Sequence, residues 1–301
     1  MSPESQFEAA ADAVVNGDIA TLRHLLKENP GLIRARSHRE HAATLLHYVA
    51  ANGVEDHRQK TPPNITEIAE LLLKAGAEID AIANVYGGST TLGLTATSIH
   101  PERAGLQEAL LQTLLDHGAT IHPSIVDACL ANGRYRAAVF LASRGAPLDF
   151  SEAAGLGDLD RVQAVFAQAR PPESDVDRGF LFACAYGQNP VIECVLAKGA
   201  HLSAHDSHGQ TALHHAVIGA HLDAVNLLLR RHAPLEVENS YGGTPLGQAL
   251  WSAAHADDPA SYLPILDALA QAGANIPAHC ASIHPLIDRW LAQHGCGVEH
   301  A

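Results

Sequence analysis

The sequence predicts an all-α solenoid of about nine helix–turn–helix repeats, and three observations carry that expectation. Leucine-rich stretches that end in a two-residue turn recur along the chain, at 71–79, 114–121, 140–148, 195–202, 228–235 and 268–276. Most place Gly-Ala just past the helix, where glycine adopts the left-handed conformation that closes an α-helix. The segment DSHGQTALHHAVIGAHLDAVNLLLRRHAPLEV, residues 206–237, holds a glycine turn, a Thr-x-Leu-His helix start, a short helix, a tight turn and a leucine-rich second helix. From Thr211 to Thr244, the matching start in the next copy, is 33 residues. A fixed period of that size marks a repeat architecture.

Each element follows in order. FEAAADAVVNGDIATLRHLLKENP (7–30) opens the array, and 7–35 is expected to cap it with one face in water. Central repeats fill 36–276, and their turn doublets begin at 76, 118, 145, 199, 232 and 273. The intervals are 42, 27, 54, 33 and 41, and the 54 hides one further copy, SEAAGLGDLDRVQAVFAQA (151–169). Short intervals imply trimmed hairpins, and long ones imply insertions between the two helices. Thr211 and Thr244 are expected to N-cap their helices, with Pro245 at the first helical position. SIHPLIDRWLAQHGC (282–296) is the core of a C-terminal cap at 277–301. The whole of 1–301 reads as one repeat array.

The 33-residue unit with its Thr-x-Leu-His start closely resembles the ankyrin consensus, and the resemblance extends more loosely over essentially the whole chain. The stretch NVYGGSTTLGLTATSIHP (84–101) is also similar to a group of bacterial ankyrin-repeat proteins sharing a YGG…TTLGL…HP pattern. The ankyrin resemblance implies that hairpin tips and first helices line a concave face. It also implies that His47 and His214 hydrogen-bond the backbone of neighbouring hairpins.

Composition removes several function classes. The net charge is −14, with no run of five or six like charges, so nothing supplies the cationic stripe that nucleic-acid binding requires. Five cysteines (Cys129, Cys184, Cys194, Cys280, Cys296) without a C-x-x-C pair fit reduced, mostly buried thiols. Cys129, Cys184 and Cys194 sit in apolar helical surroundings and read as core. No secretory signal and no eighteen-residue apolar run is apparent, so a cytoplasmic, non-membrane protein is the expectation.

Candidate site residues come from departures from the repeat. Three insertions, VEDHRQKTPPN (54–64), HPERAG (100–105) and AAHADDPAS (253–261), fall at the turn between helices. The first two lie in consecutive repeats about 10 Å apart. Together they are expected to gather His57, Arg58, Gln59, Lys60, His100, Glu102 and Arg103 beside Asn52 and Glu55. Within such a polar pocket His47, His100, Glu55 and Glu102 are the acid–base candidates, and Arg58 would hold an anionic group. Exposed aromatics form a second candidate surface: Tyr48, Tyr186 and Trp251 near the inner-helix rows, Tyr86 and Tyr241 on the hairpins. In Thr90-Thr91-Leu92-Gly93 and Thr244-Pro245-Leu246-Gly247, glycine replaces the histidine of the repeat. Glycine there costs helix stability and opens space, with Tyr86 or Tyr241 as one wall.

Histidine is frequent, at 20 residues, yet no metal site is expected. His214 and His215 point to different faces of one helix, the H-E-x-x-H pairing is absent, nothing requires HLSAHDSH (201–208) to bind a metal, and His57, His100, His255 and His284 are simply not consensus positions. No nucleophile elbow, phosphate loop or dinucleotide fingerprint occurs, and no cofactor is expected. The leading expectation is a non-catalytic recognition module that binds a protein partner along its concave face. Two others stand beside it. One is a small-molecule or enzymatic site for a polar or anionic ligand, formed by the hairpins and insertions of repeats two and three. The other is an acidic inhibitor or immunity-type subunit. Oligomeric state is left open.

Overall fold

The computed structural model describes residues 2–299. Its contacts divide the chain into two compact units, one ending at Pro147 and one starting at Leu148.

The first unit is built from paired helices. α1 (Pro3–Asn16) and α2 (Ile19–Glu28) form the opening pair. α1 begins four residues before the sequence copy starts at 7, because Ser2 accepts from the Ser5 amide and Pro3 starts the helix. The second repeat has no α-helix in its inner position. A four-residue 3-10 turn, His47–Ala50, stands there, ended by Ala51 in the left-handed region at φ 49°. A further 3-10 turn, Asp56–Arg58, lies in the insertion before α3 (Ile65–Lys74). The third repeat consists of α4 (Thr91–Thr97), a short helix α5 (Ile99–Arg103) made by the second insertion, and α6 (Gln107–Asp116). α7 (Ile125–Ala131) and α8 (Tyr135–Ser143) complete the unit. α1, the 3-10 turn, α4 and α7 pack in one row, while α3, α6 and α8 pack in the other.

The second unit repeats the arrangement more regularly. Its pairs are α9 (Phe150–Leu156) with α10 (Leu159–Gln168), and α11 (Glu173–Ala185) with α12 (Asn189–Ala197). Next come α13 (Ala212–Ile218) with α14 (Leu222–Arg230), and α15 (Pro245–His255) with α16 (Leu263–Gln271). α11, α13 and α15 pack successively in one row, and α10, α12, α14 and α16 in the other. Leu, Val, Ile and Ala from both rows merge into one buried core, with Phe180 as its largest fully covered side chain. The last repeat departs from the all-helical expectation. α17 (Pro285–Gln293) is flanked by β1 (His279–Ala281) and β2 (Gly297–Glu299), which pair in parallel with Cys280 opposite Val298.

The expected cap at Thr244 is present, and Thr90 makes the same one: each accepts from the amide three residues on, at 3.2 and 3.3 Å. At Thr211 the neighbouring imidazole takes part instead: His214 Nδ1 accepts from the Thr211 amide at 3.2 Å and meets its hydroxyl at 2.9 Å. Gly76 and Gly273 close their helices at φ 97° and 95°.

Candidate functional site

The imidazole of the Thr-x-Leu-His start ties one repeat to the hairpin of the next. His47 Nδ1 accepts from the Thr44 amide at 3.1 Å, which leaves Nε2–H to donate to the Ala81 carbonyl at 3.0 Å. His214 does the same toward the Gly243 carbonyl at 2.9 Å. Burial favours the neutral ring, and it pushes His47 down to about 4. His47 is thus a structural strut rather than an acid–base group, and it does not line the cavity described below.

Gly93 and Gly247 are the exceptions, and the adjoining repeats give the reason. After α6 the hairpin is trimmed to a short turn before α7, and after α16 the chain enters β1 instead of a hairpin. An imidazole at either position would find no hairpin carbonyl to bind. Neither glycine is covered: a Cβ at 93 or 247 would meet only the capping threonine hydroxyl, at 3.7 and 3.6 Å.

In the first unit the missing side chain and the trimmed hairpin leave an open cavity of about 790 Å³. Asn52, Gln59, Tyr86, Gly93 and His100 line it, as do Ser89, Thr90, Thr97, Thr120, His122, Ser124, Asn132 and Arg134, with Ile82, Ile99, Ile125 and Ala128 as its apolar part. Among the described residues no carboxylate lines it, although the chain carries 33 Asp and Glu residues. Among them Arg134 is its one full cation, and it is paired with Glu102.

The wall of the cavity is set by the YGG hairpin. Ala83 and Ser89 exchange two backbone hydrogen bonds, at 2.9 and 3.1 Å. Between them Tyr86 adopts φ 50°, a conformation that costs a bulky residue energy. Its ring is 75% exposed, and its hydroxyl donates to Asn52 Oδ1 at 3.1 Å. Asn52 is itself held, because its amide donates to the Leu94 carbonyl and the Thr97 hydroxyl. The second copy is one residue shorter between tyrosine and capping threonine. There Asn239 Oδ1 accepts from the Tyr241 and Gly243 amides, both at 3.0 Å, and Tyr241 keeps an ordinary negative φ. Tyr241 is 77% exposed and stacks on His208, with ring centroids 6.1 Å apart.

Several expected site residues lie elsewhere. Arg58 is buried, and its guanidinium bonds Glu8 at 2.7 Å, Asp12 at 2.8 Å and Glu55 at 3.0 Å. Burial opposes its charge, but Asp12 and Glu8 outweigh that and hold its pKa raised. Arg58 and Glu55 therefore clamp the first insertion to α1, and neither holds a ligand. Tyr48 is fully buried under this clamp, with Arg58 over its ring at 5.8 Å. The exposure expected of it fails because the inner element is a 3-10 turn facing α1. Tyr186 is half-buried, and Glu102 faces Arg134. His57, Lys60 and Arg103 are exposed and stand outside the cavity lining. Trp251 is 60% exposed and stacks on His255 at 4.2 Å. Cys129 and Cys184 are buried in helix packing, and Cys194 is half-buried.

Sequence reasoning did not find His122, Ser124, Asn132 and Arg134. They flank α7 in the trimmed repeat, where the shortened interval of 27 was the available signal. His122 Nδ1 lies 2.8 Å from the Ser124 hydroxyl and also accepts from the Ser124 amide at 3.3 Å, so the pair forms a turn ahead of α7. Among the described residues no cluster of three or more His, Cys, Asp or Glu could hold a metal ion. Among them, too, no helix is long and apolar enough to cross a membrane.

Comparison with known proteins agrees with the fold. The family model of ankyrin repeats matches residues 180–280 in three copies. Ankyrin repeat and KH domain-containing protein mask-1 of Caenorhabditis elegans is 28% identical over 185 residues, which cover 58% of this chain and 7% of that protein. Ankyrin repeat domain-containing protein 13C of Danio rerio is 36% identical over 74 residues, covering 21% of this chain and 15% of that one. ADP-ribosylation factor GTPase-activating protein AGD4 of Arabidopsis thaliana is 34% identical over 76 residues, covering 25% and 10%. The chain thus spans between 7% and 15% of the length of these relatives. Paired helices in rows define a helical repeat protein, and the matches show ankyrin repeats over residues 180–280. Ankyrin repeats are protein-interaction modules, which supports a binding role without catalysis.

Proposed function

We propose that the protein is a non-catalytic recognition module that holds a segment of a protein partner against the inner row of its first unit. A hydrogen-bonding side chain of that segment enters the cavity beside Gly93, and its apolar neighbour packs on Tyr86. The observation that carries this reading is Tyr86 itself. A large aromatic side chain is kept exposed in a strained backbone conformation, with its hydroxyl anchored by Asn52. Tyrosine used in this way is a frequent anchor at protein interfaces. The lining of amides, hydroxyls and two imidazoles suits a polar side chain better than an apolar one. In the second unit, Trp251 on α15 and Tyr241 on its hairpin offer a separate exposed aromatic surface of the same kind.

Selection of displayed random peptides on the immobilised protein tests the proposal. Enriched peptides should share a polar residue next to an apolar one, and their binding should weaken at least tenfold in both Tyr86→Ala and Gly93→His. Binding unchanged in both variants would exclude the cavity as the anchor.

The cavity volume favours one second reading, a small polar or anionic molecule, because about 790 Å³ falls within the usual range of such sites. In that case a panel of polar metabolites would raise the melting temperature of the wild type and leave Gly93→His unaffected. A protein-segment site would show no such shift.

A further inference from the structure

The C-terminal ribbon brings together two cysteines that lie 16 residues apart in sequence (296 − 280). Cys280 is the central residue of β1, and Cys296 directly precedes β2, with its amide bonded to the Leu291 carbonyl at 3.0 Å. Parallel pairing of the strands fixes both backbones, and the two sulfurs stand 2.9 Å apart. That is within about 1 Å of the roughly 2.0 Å length of a disulfide bond. Cys296 is buried, and Cys280 is half-exposed beside it.

We propose that Cys280 and Cys296 are a paired oxidation site, which low-molecular-weight disulfides of the glutathione class convert to an internal disulfide. The Cys280 thiolate, as the accessible partner, attacks one sulfur of the oxidised reagent. A mixed disulfide forms at Cys280, and one reduced glutathione leaves after taking up a proton. The Cys296 sulfur then attacks Cys280 Sγ, a bond forms between the two protein sulfurs, and a second glutathione leaves with the remaining proton. Two protein thiols lose two electrons, and one glutathione disulfide becomes two thiols. The second step has its nucleophile already in place, so the mixed disulfide does not accumulate.

Burial, with Cys296 adding to it, pushes the Cys280 thiol up to about 11. Little thiolate is present at neutral pH, and the first step governs the rate. That rate rises about tenfold per pH unit between pH 7 and 9, following the thiolate fraction. The new bond closes a loop that contains α17 and ties the terminal helix to its ribbon, which restricts the unfolded chain.

The test is incubation of the full chain with oxidised glutathione at pH 8.5, followed by thiol titration in denaturant and peptide mapping. Five titratable thiols, the full cysteine content, should fall to three, with a Cys280–Cys296 linked peptide lighter by two hydrogens. Cys296→Ser should instead hold a stable glutathione adduct at Cys280. Cys280→Ser should leave the thiol at 296 largely unmodified, because it is buried. Persistence of the glutathione adduct in the wild type, or no loss of thiol while a cysteine-containing control peptide oxidises, would overturn the proposal. So would equal reaction at Cys129 and Cys184, since it would show that unfolding rather than the ribbon sets reactivity.

Discussion

One side chain in the Thr-x-Leu-His start decides whether a repeat reaches forward or leaves a gap. Where a full hairpin follows, histidine ties to its carbonyl, as His47 and His214 do. Where the hairpin is trimmed, glycine stands at the same position and space opens. Gly93→Ala is therefore expected to stabilise the protein by about 0.5–1 kcal/mol, because helical glycine costs backbone entropy and the new methyl meets no obstacle. Urea unfolding measures it. His47 supplies a pH-dependent counterpart. Its folded pKa, about 4, lies below the ordinary imidazole value of 6.5, so its contribution is complete above about pH 6.5 and fades as pH falls toward 4. The loss amounts to roughly 3 kcal/mol once the pH lies below both values. Glu8, whose carboxyl Arg39 and Arg58 hold low against burial, adds acid sensitivity of the same sign. Unfolding midpoints recorded from pH 7 to pH 4 should fall more steeply in the wild type than in His47→Gln, and parallel curves would exclude the imidazole as a source.

Among the elements, the clamp and the hairpin behave differently. Arg58 faces Glu8, Asp12 and Glu55 from a buried position, so Arg58→Met takes the shared buried cation from three carboxylates, of which Glu8 and Glu55 keep Arg39. A loss of about 3 kcal/mol is expected by urea unfolding, as for other broken buried pairs. The YGG hairpin should respond in the opposite direction. Tyr86→Gly relieves a left-handed tyrosine and should raise stability by about 1 kcal/mol while weakening peptide binding. A variant that gained stability and kept full binding would show that the ring is not part of the site. The clamp was not legible in the sequence, because Arg58 meets carboxylates 46 and 50 residues away, beyond any local pattern. Tyr48 was misplaced for a related reason. Its helix start has the ankyrin pattern, but the element is one 3-10 turn packed on α1, and the tyrosine on it is buried.

For the molecule as a whole, the repeat period was readable because its signals are local: capping threonines, turn glycines and leucine spacing each act within one helix. The expected copies have counterparts among the described residues, down to the hidden one at α9 and α10, although the inner element of the second is a 3-10 turn and the last holds one helix between two strands. The parallel ribbon at the end was not readable, since HCA and GVE are too short to show a strand period and pair only because α17 brings them together. The cavity was half legible. Asn52, Tyr86, Gly93 and His100 stood out as departures from the repeat, whereas its far wall on α7 consists of residues ordinary for any short repeat.

Ser89 carries a consequence for how such a scaffold acquires new specificity. It is the one residue by which the NVYGGST loop exceeds NSYGGT, and the longer loop is the one whose tyrosine is turned into the left-handed region. A single codon gained or lost at that loop would change the presentation of an aromatic side chain while leaving every buried leucine in place. The chain therefore holds a naturally matched pair of loops, and deletion of Ser89 is the smallest edit by which one could be rewritten as the other.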